Sequence, residues 1–292
     1  MKKSFLYLST LLLLNIILAT TVQAKETWPK QLTFGVIPIA SSRNMSNSFG
    51  SLVQHLEKEL GLKVKLQVAG DYAGVITGMQ FGHVDIAYLG PKSYVEAANR
   101  AGAEAIVLEK DLNGTPGYHG LILSKKGSGL KTIEDLQGKT WAFTDPHSTS
   151  GTLVPTVYFN KINIDPQQYF SKVIYSGSHE ASILSIKAGK IAAASTNDLD
   201  FNRGLGKQWQ KSDFNTIWTS DLIPAAPMAV RKGLPASLKS AIQQAFVSYS
   251  DTDGLDKLKI SGYIPATDSM YDSIRTLIAV KKALKEKKIA KQ

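Results

Sequence analysis

The sequence predicts an α/β fold built from two similar halves, with mainly parallel sheet. Three observations carry this. Apolar strand patterns alternate with amphipathic helix patterns from Leu32 onward. A helix–glycine–strand unit occurs twice. No linker rich in Pro, Gly or Ser divides the chain into independent domains.

Leu32 to Pro38 reads as a buried strand. Phe49, Leu52, Val53, Leu56 and Leu60 then share one helical face, and Gly61 supplies the C-cap. Val64 to Val68 alternates as a second strand. A helix from Tyr72 to about Phe81 leads through Gly82 into the strand Val84 to Tyr88, and another helix starts at Ser93. The repeated unit is Ile76-x-x-Met79-x-x-Gly82-x-Val84-Asp85-x-Ala87, echoed by Ile183-x-x-Ile186-x-x-Gly189-x-Ile191-Ala192-x-Ala194. Its apolar residues three apart lie on one helix face. Without a flexible linker, two lobes are joined by crossing strands, expected at Tyr118–Leu123 and Leu222–Val230. The prolines of the second segment suit a stiff hinge.

The N-terminus reads as an export signal: Lys2 and Lys3, an apolar run from Phe5 to Ala19, and a small-x-small site at Val22-Gln23-Ala24. Residues 1–24 are expected to be removed, leaving a chain that starts at Lys25. There is no cysteine, which excludes disulfides, thiolate metal sites, a Cys nucleophile and a lipidated Cys. Together these point to a bacterial periplasm.

The formal net charge is +10, but Lys281 to Gln292 alone holds six Lys against one Glu. The body is nearly balanced, and no basic runs interleave with aromatics, so nucleic acid is not an expected partner.

The densest polar motif is Phe143-Thr-Asp-Pro-His-Ser-Thr-Ser-Gly-Thr152, between a strand (Lys139 to Phe143) and an apolar helix (Leu153 to Phe159). One hydroxyl suffices for an N-cap; Ser148, Thr149 and Ser150 offer three, and Gly151 lets backbone approach a ligand. A helix start presents free N–H groups and the positive dipole end, so this is a candidate anion site. An over-furnished cap is the competing reading. Pro155 predicts a late or bent helix start. In Tyr175-Ser-Gly-Ser-His-Glu-Ala181, Ser178 is the expected N-cap and His179 lies in the first turn, where its N–H can reach an oxyanion. Weaker candidates follow strand ends: Tyr88, Ser41 to Asn44, and Ser195-Thr-Asn197-Asp198-Leu-Asp200. No G-x-S-x-G, P-loop, H-E-x-x-H or G-x-G-x-x-G occurs, so no catalytic residue, metal or cofactor is expected. A triad of Ser148, His179 and Asp198 or Asp200 lacks the nucleophile elbow it needs.

Four motifs in order resemble the phosphate/phosphite/phosphonate-binding proteins of ABC transporters. They are Asp85-Ile-Ala-Tyr-Leu-Gly-Pro91, Trp141 to Gly151, Ser176-Gly-Ser-His-Glu-Ala-Ser-Ile183 and Ile217-Trp-Thr-Ser-Asp-Leu-Ile-Pro224. The resemblance covers about Leu32 to about Ser240. It implies a type II periplasmic binding protein: two α/β lobes, 25–120 plus 225–292 and 121–224, with the ligand trapped between them. It also implies that Tyr88, Ser148, Thr149, Ser150 and His179 hold the phosphorus oxygens, with Asn197 and Asp198 beside them, and that an inner-membrane ABC permease is the partner of a monomer. Relatives that bind aminoethylphosphonate set acids against its ammonium; here Leu199, flanked by Asp198 and Asp200 so that an acid there stays open, and Ala226 stand near those places. That favours phosphite or methylphosphonate. A phosphate-specific binder, or a sensory protein feeding a receptor, shares the same pocket. An anion beside His179 is expected to raise its pKa.

Overall fold

The computed structural model describes residues 27–289. The expected export signal and its cleavage site lie outside the described residues. The first half runs β1 (Gln31–Val36), α1 (Ser42–Leu60), β2 (Lys63–Val68), α2 (Tyr72–Gln80), β3 (Ile86–Tyr88), α3 (Pro91–Ala101) and β4 (Glu104–Lys110). Next come β5 (Gly117–Lys125), β6 (Thr140–Phe143), α4 (Val154–Lys161), α5 (Pro166–Tyr169), β7 (Lys172–Tyr175), α6 (His179–Lys187), β8 (Ala193–Asn197), α7 (Asp198–Gly204) and β9 (Phe214–Pro224). The chain ends with β10 (Pro227–Val230), α8 (Ala236–Val247), α9 (Thr252–Leu258), β11 (Gly262–Pro265) and α10 (Asp272–Ile289).

Two sheets result. The first has the order β11-β4-β10-β3-β1-β2, the second β7-β6-β8-β5-β9. β1 runs parallel to β2 and β3, and β6 to β7 and β8. The pairs made by β5, β10 and β11 are antiparallel. The sheets are therefore mixed rather than mainly parallel. β5 and β10 carry the chain into and out of the second sheet, and a strand arriving by a crossing has no helix to turn it into register with its neighbours.

The crossings lie side by side. Gly117 at the start of β5 pairs with Pro224 at the end of β9. Tyr118 to Leu123, expected as a crossing, lies inside β5; the chain passes between sheets at 111–116 instead. The return is short, from Pro224 to Pro227, and Ala225 is tied by its N–H to Pro116 O and by its carbonyl to Tyr271 OH.

Each sheet has its own core. Phe34, Phe49 and Phe246 meet edge to face around the first. In the second, alternation in β6 sends Trp141 and Phe143 to one face and Ala142 to the other. The echoed unit falls once in each lobe: α2, Gly82 and β3 in one, α6, Gly189 and β8 in the other. Both glycines are left-handed, with φ of 74° and 71°.

α1 begins seven residues before the expected Phe49. Ser41 caps it, accepting from Asn44 N–H at 3.4 Å. Its polar first turns face the second lobe, so apolar spacing does not reveal them.

Candidate functional site

The anion motif folds as a strand-to-helix corner. Ser148 is the N-cap and its Oγ accepts from Gly151 N–H at 3.0 Å. The first turn, Thr149–Leu153, is π-helical, closed by Leu153 N–H to Ser148 O at 3.1 Å. α4 follows in register. Pro155 explains the wide turn. It has no N–H for the carbonyl of Gly151 and its ring crowds that position. That carbonyl accepts instead from Thr144 N–H at 3.1 Å and Ser195 Oγ at 2.7 Å. Gly151 serves packing rather than ligand approach: a Cβ there would lie 2.3 Å from Thr144 Oγ1 and 2.7 Å from Ser148 Oγ.

Thr149 Oγ1 accepts from Lys92 N–H of the other lobe at 2.8 Å. Ser150 Oγ accepts from Asn197 Nδ2 at 3.2 Å. Each of the three hydroxyls thus accepts a bond from the protein. Tyr72 bonds to Ser148, and Tyr118 to Thr149 and Ser150, completing a hydroxyl-lined wall.

Ser178 caps α6, accepting from Ala181 N–H at 3.1 Å, and this sets His179 at the first helical position. His179 Nδ1 lies 3.1 Å from Thr196 Oγ1, and Nε2 lies 3.4 Å from Ser148 Oγ. Burial holds this imidazole below the usual histidine range, against the opposing pull of Asp200. It is therefore neutral in the protein without an anion beside it.

Opposite stands a buried ionic group. Asn197 caps α7, accepting from Asp200 N–H at 2.7 Å and donating to Asp200 Oδ2 at 2.7 Å. Arg203 pairs with Asp200, reaches Glu109 Oε2 and Tyr88 OH at 3.4 and 3.3 Å, and donates to Leu258 O at 3.0 Å. Burial and the charge of Asp200 push Glu109 up to about 7, although Arg203 opposes this. Burial would raise Asp200 too, but Arg203 and His179 hold it below its ordinary value.

Folded Glu109 binds its proton more tightly than unfolded Glu109. Its contribution to stability is fully present below its ordinary 4.5 and is lost as pH rises to about 7. Asp200 acts in the opposite sense, stabilising at neutral pH and ceasing to as pH falls through its folded value. Urea midpoints at stepped pH are expected to show a fall toward neutrality that Glu109→Gln abolishes.

These groups enclose a cavity of about 30 Å³ between the lobes. Of the expected ligand residues, Tyr88, Ser148, Thr149, Ser150, His179 and Asn197 line it. Asp198 does not: its carboxylate accepts from His119 N–H at 2.9 Å. The Asn197 cap turns the third residue of α7, Asp200, inward instead. Leu199 and Ala226 are both wall residues. Sequence reading missed Tyr72, Glu109, Tyr118 and Arg203 as wall residues. The Asp200–Arg203 spacing was a visible helical ion-pair signal. Among the described residues no cluster of His, Cys, Asp and Glu suits a metal, and no helix is long and apolar enough to cross a membrane.

Further contacts close the lobes around the cavity. Glu180 of α6 accepts from Ser41 N–H at 2.7 Å and Asn44 Nδ2 at 2.5 Å, at the start of α1. Lys92 Nζ reaches Pro146 O at 2.9 Å, and Glu96 pairs with His147.

Residues 34–271 match the family described as the phosphonate periplasmic substrate-binding protein of ABC transporters. The chain is 34% identical to a phosphonates-binding periplasmic protein of Escherichia coli, over 88% of this chain and 78% of that one. It is 29% identical to a phosphate-import protein of Mycolicibacterium smegmatis, over 86% and 85%. A binding protein component of an ABC phosphonate transporter from Pseudomonas aeruginosa superposes with a TM-score of 0.83 at 32% identity, covering 89% of this chain and 88% of that one. A two-lobed fold, a hydroxyl-lined cavity at the lobe junction and these likenesses agree: the chain belongs to the phosphonate substrate-binding proteins of ABC transporters.

Proposed function

We propose that this protein, exported and freed of residues 1–24, captures phosphite or methylphosphonate as a monomer and delivers it to an inner-membrane ABC permease. The size and lining of the cavity carry this reading. About 30 Å³ is room for the equivalent of about two to three water-sized spheres. That suits a tetrahedral phosphorus centre with at most one small substituent. The donors are hydroxyls and a neutral imidazole, a set that a small oxyanion can use without a metal. Leu199 and Ala226 give the substituent apolar neighbours. Closure follows from differential affinity, because Thr149 and His179 stand on one lobe and Tyr88 on the other.

Calorimetric titration of the chain from Lys25, stripped of ligand by unfolding and refolding, tests this. Phosphite or methylphosphonate is expected to bind much more tightly than aminoethylphosphonate or sulfate. Tightest binding of aminoethylphosphonate or of phosphate overturns the choice of ligand; no heat with any phosphorus compound overturns the class. An acid placed in the wall by Ala226→Asp is expected to weaken methylphosphonate by about tenfold or more through repulsion and desolvation, and to narrow its lead over aminoethylphosphonate.

A further inference from the structure

Glu109 is a carboxyl group in the wall of an anion cavity, where a carboxylate should be unwelcome. It is 2% exposed. Its two side-chain hydrogen bonds, from Tyr88 OH at 3.3 Å and from Arg203 at 3.4 Å, are both long. A buried carboxylate normally gathers shorter and more numerous donors. Arg203 is spent mainly on Asp200. One face of Glu109 is therefore left to whatever fills the cavity.

We propose that Glu109 is a specificity-determining residue: it shares a single proton with one oxygen of the bound oxyanion, and so favours oxyanions that bring that proton with them. A hydrogen phosphonate donates its P–OH to the Glu109 carboxylate; above its own second ionisation it arrives as the dianion and must first take that proton from solvent. A sulfonate of the same shape and charge has no proton to give, and sets bare oxygen against carboxylate. It can enter only if Glu109 first takes a proton from solvent. This rests on the phosphorus-oxyanion reading above.

The groups facing Glu109 leave it as the titrating member at neutral to alkaline pH. Arg203 and Asp200 face it from α7, Tyr88 from β3, Tyr118 from β5, Tyr263 from β11 and Tyr271 from the turn before α10. The phenols are pushed up by burial and stay protonated, Arg203 stays charged and Asp200 stays ionised.

Methylphosphonate and methanesulfonate are the probes, titrated calorimetrically into the full mature chain at about pH 7 and about pH 9. For the unaltered protein, methanesulfonate affinity is expected to fall by about tenfold per pH unit across the upper part of this range, with about one proton taken up per ligand in buffers of different ionisation heat. In Glu109→Gln, the amide N–H donates to a bare oxygen. Methanesulfonate binding then becomes independent of pH, and at the alkaline end is at least about tenfold tighter than in the unaltered protein. Glu109→Asp keeps a carboxyl and is expected to keep the preference. If Glu109→Gln folds and its preference for methylphosphonate is unchanged, or if no proton is taken up by the unaltered protein, the proposal is overturned. If the unaltered protein binds neither probe, the oxyanion reading fails first, a result distinct from either of these.

Discussion

Replacing Thr149 by valine is expected to weaken oxyanion binding by about a hundredfold or more, equivalent to roughly 3 kcal/mol. The substitution conserves volume, so packing is little disturbed. It removes two bonds that depend on one oxygen. Thr149 Oγ1 accepts from Lys92 N–H across the lobe junction, and the residue lines the cavity. Valine leaves that buried N–H without a partner in the closed state and withdraws a donor from the ligand. Ser150→Ala removes a ligand donor, but the oxygen it takes away accepts from Asn197 of the same lobe, and is expected to cost nearer tenfold. Calorimetry decides: equal losses for the two variants would mean that the interlobe bond to Lys92 contributes nothing to capture.

Arg203→Met is expected to destabilise the folded protein by about 3–5 kcal/mol, because it leaves two buried carboxyls without their cation. Arg203 lies on α7, yet it holds Asp200 of its own helix, Glu109 of β4 and the carbonyl of Leu258 at the end of α9. Glu109 then protonates, but Asp200 keeps only Asn197 and His179 as close partners. Urea unfolding at neutral pH measures the loss. Arg203→Lys restores charge without the fork and is expected to recover only part of it. A loss below about 1 kcal/mol for the methionine variant would mean that water reaches the carboxyls and the cavity is wetter than its burial indicates.

What the sequence disclosed about the site follows from the range of each interaction. The serine-threonine-serine corner and the His179 helix start were legible because capping is local, spanning three residues. Asp198, expected beside the ligand as a polar residue after a strand end, instead accepts from His119 N–H, because strand-end position does not say which residue of a following helix turns inward. Glu109 and Tyr88 are separated from Arg203 by 94 and 115 positions. No local pattern links them; only the crossing between sheets does. The start of α1 was hidden for a different reason. Its first turns meet the partner lobe through Ser41 and Asn44, and a polar contact has no hydrophobic period to read. The direction of β5 and β10 was misjudged because alternating strands and helices suggest parallel order, while the two crossings reverse it.

The Glu180 contacts with Ser41 and Asn44 have a cost for the transport cycle. They form between the lobes and touch nothing in the cavity, so they favour shutting of the empty protein as much as of the loaded one. A group that stabilises both shut forms equally adds nothing to discrimination between cargo and no cargo. Each such bond raises the fraction of vacant protein that resembles a loaded carrier. A permease that recognises only the shut shape is then engaged by vacant carriers in proportion, and spends ATP without moving a molecule. The strength of this one carboxylate is therefore bounded from both sides: slow release of captured solute at one limit, and futile turnover at the other.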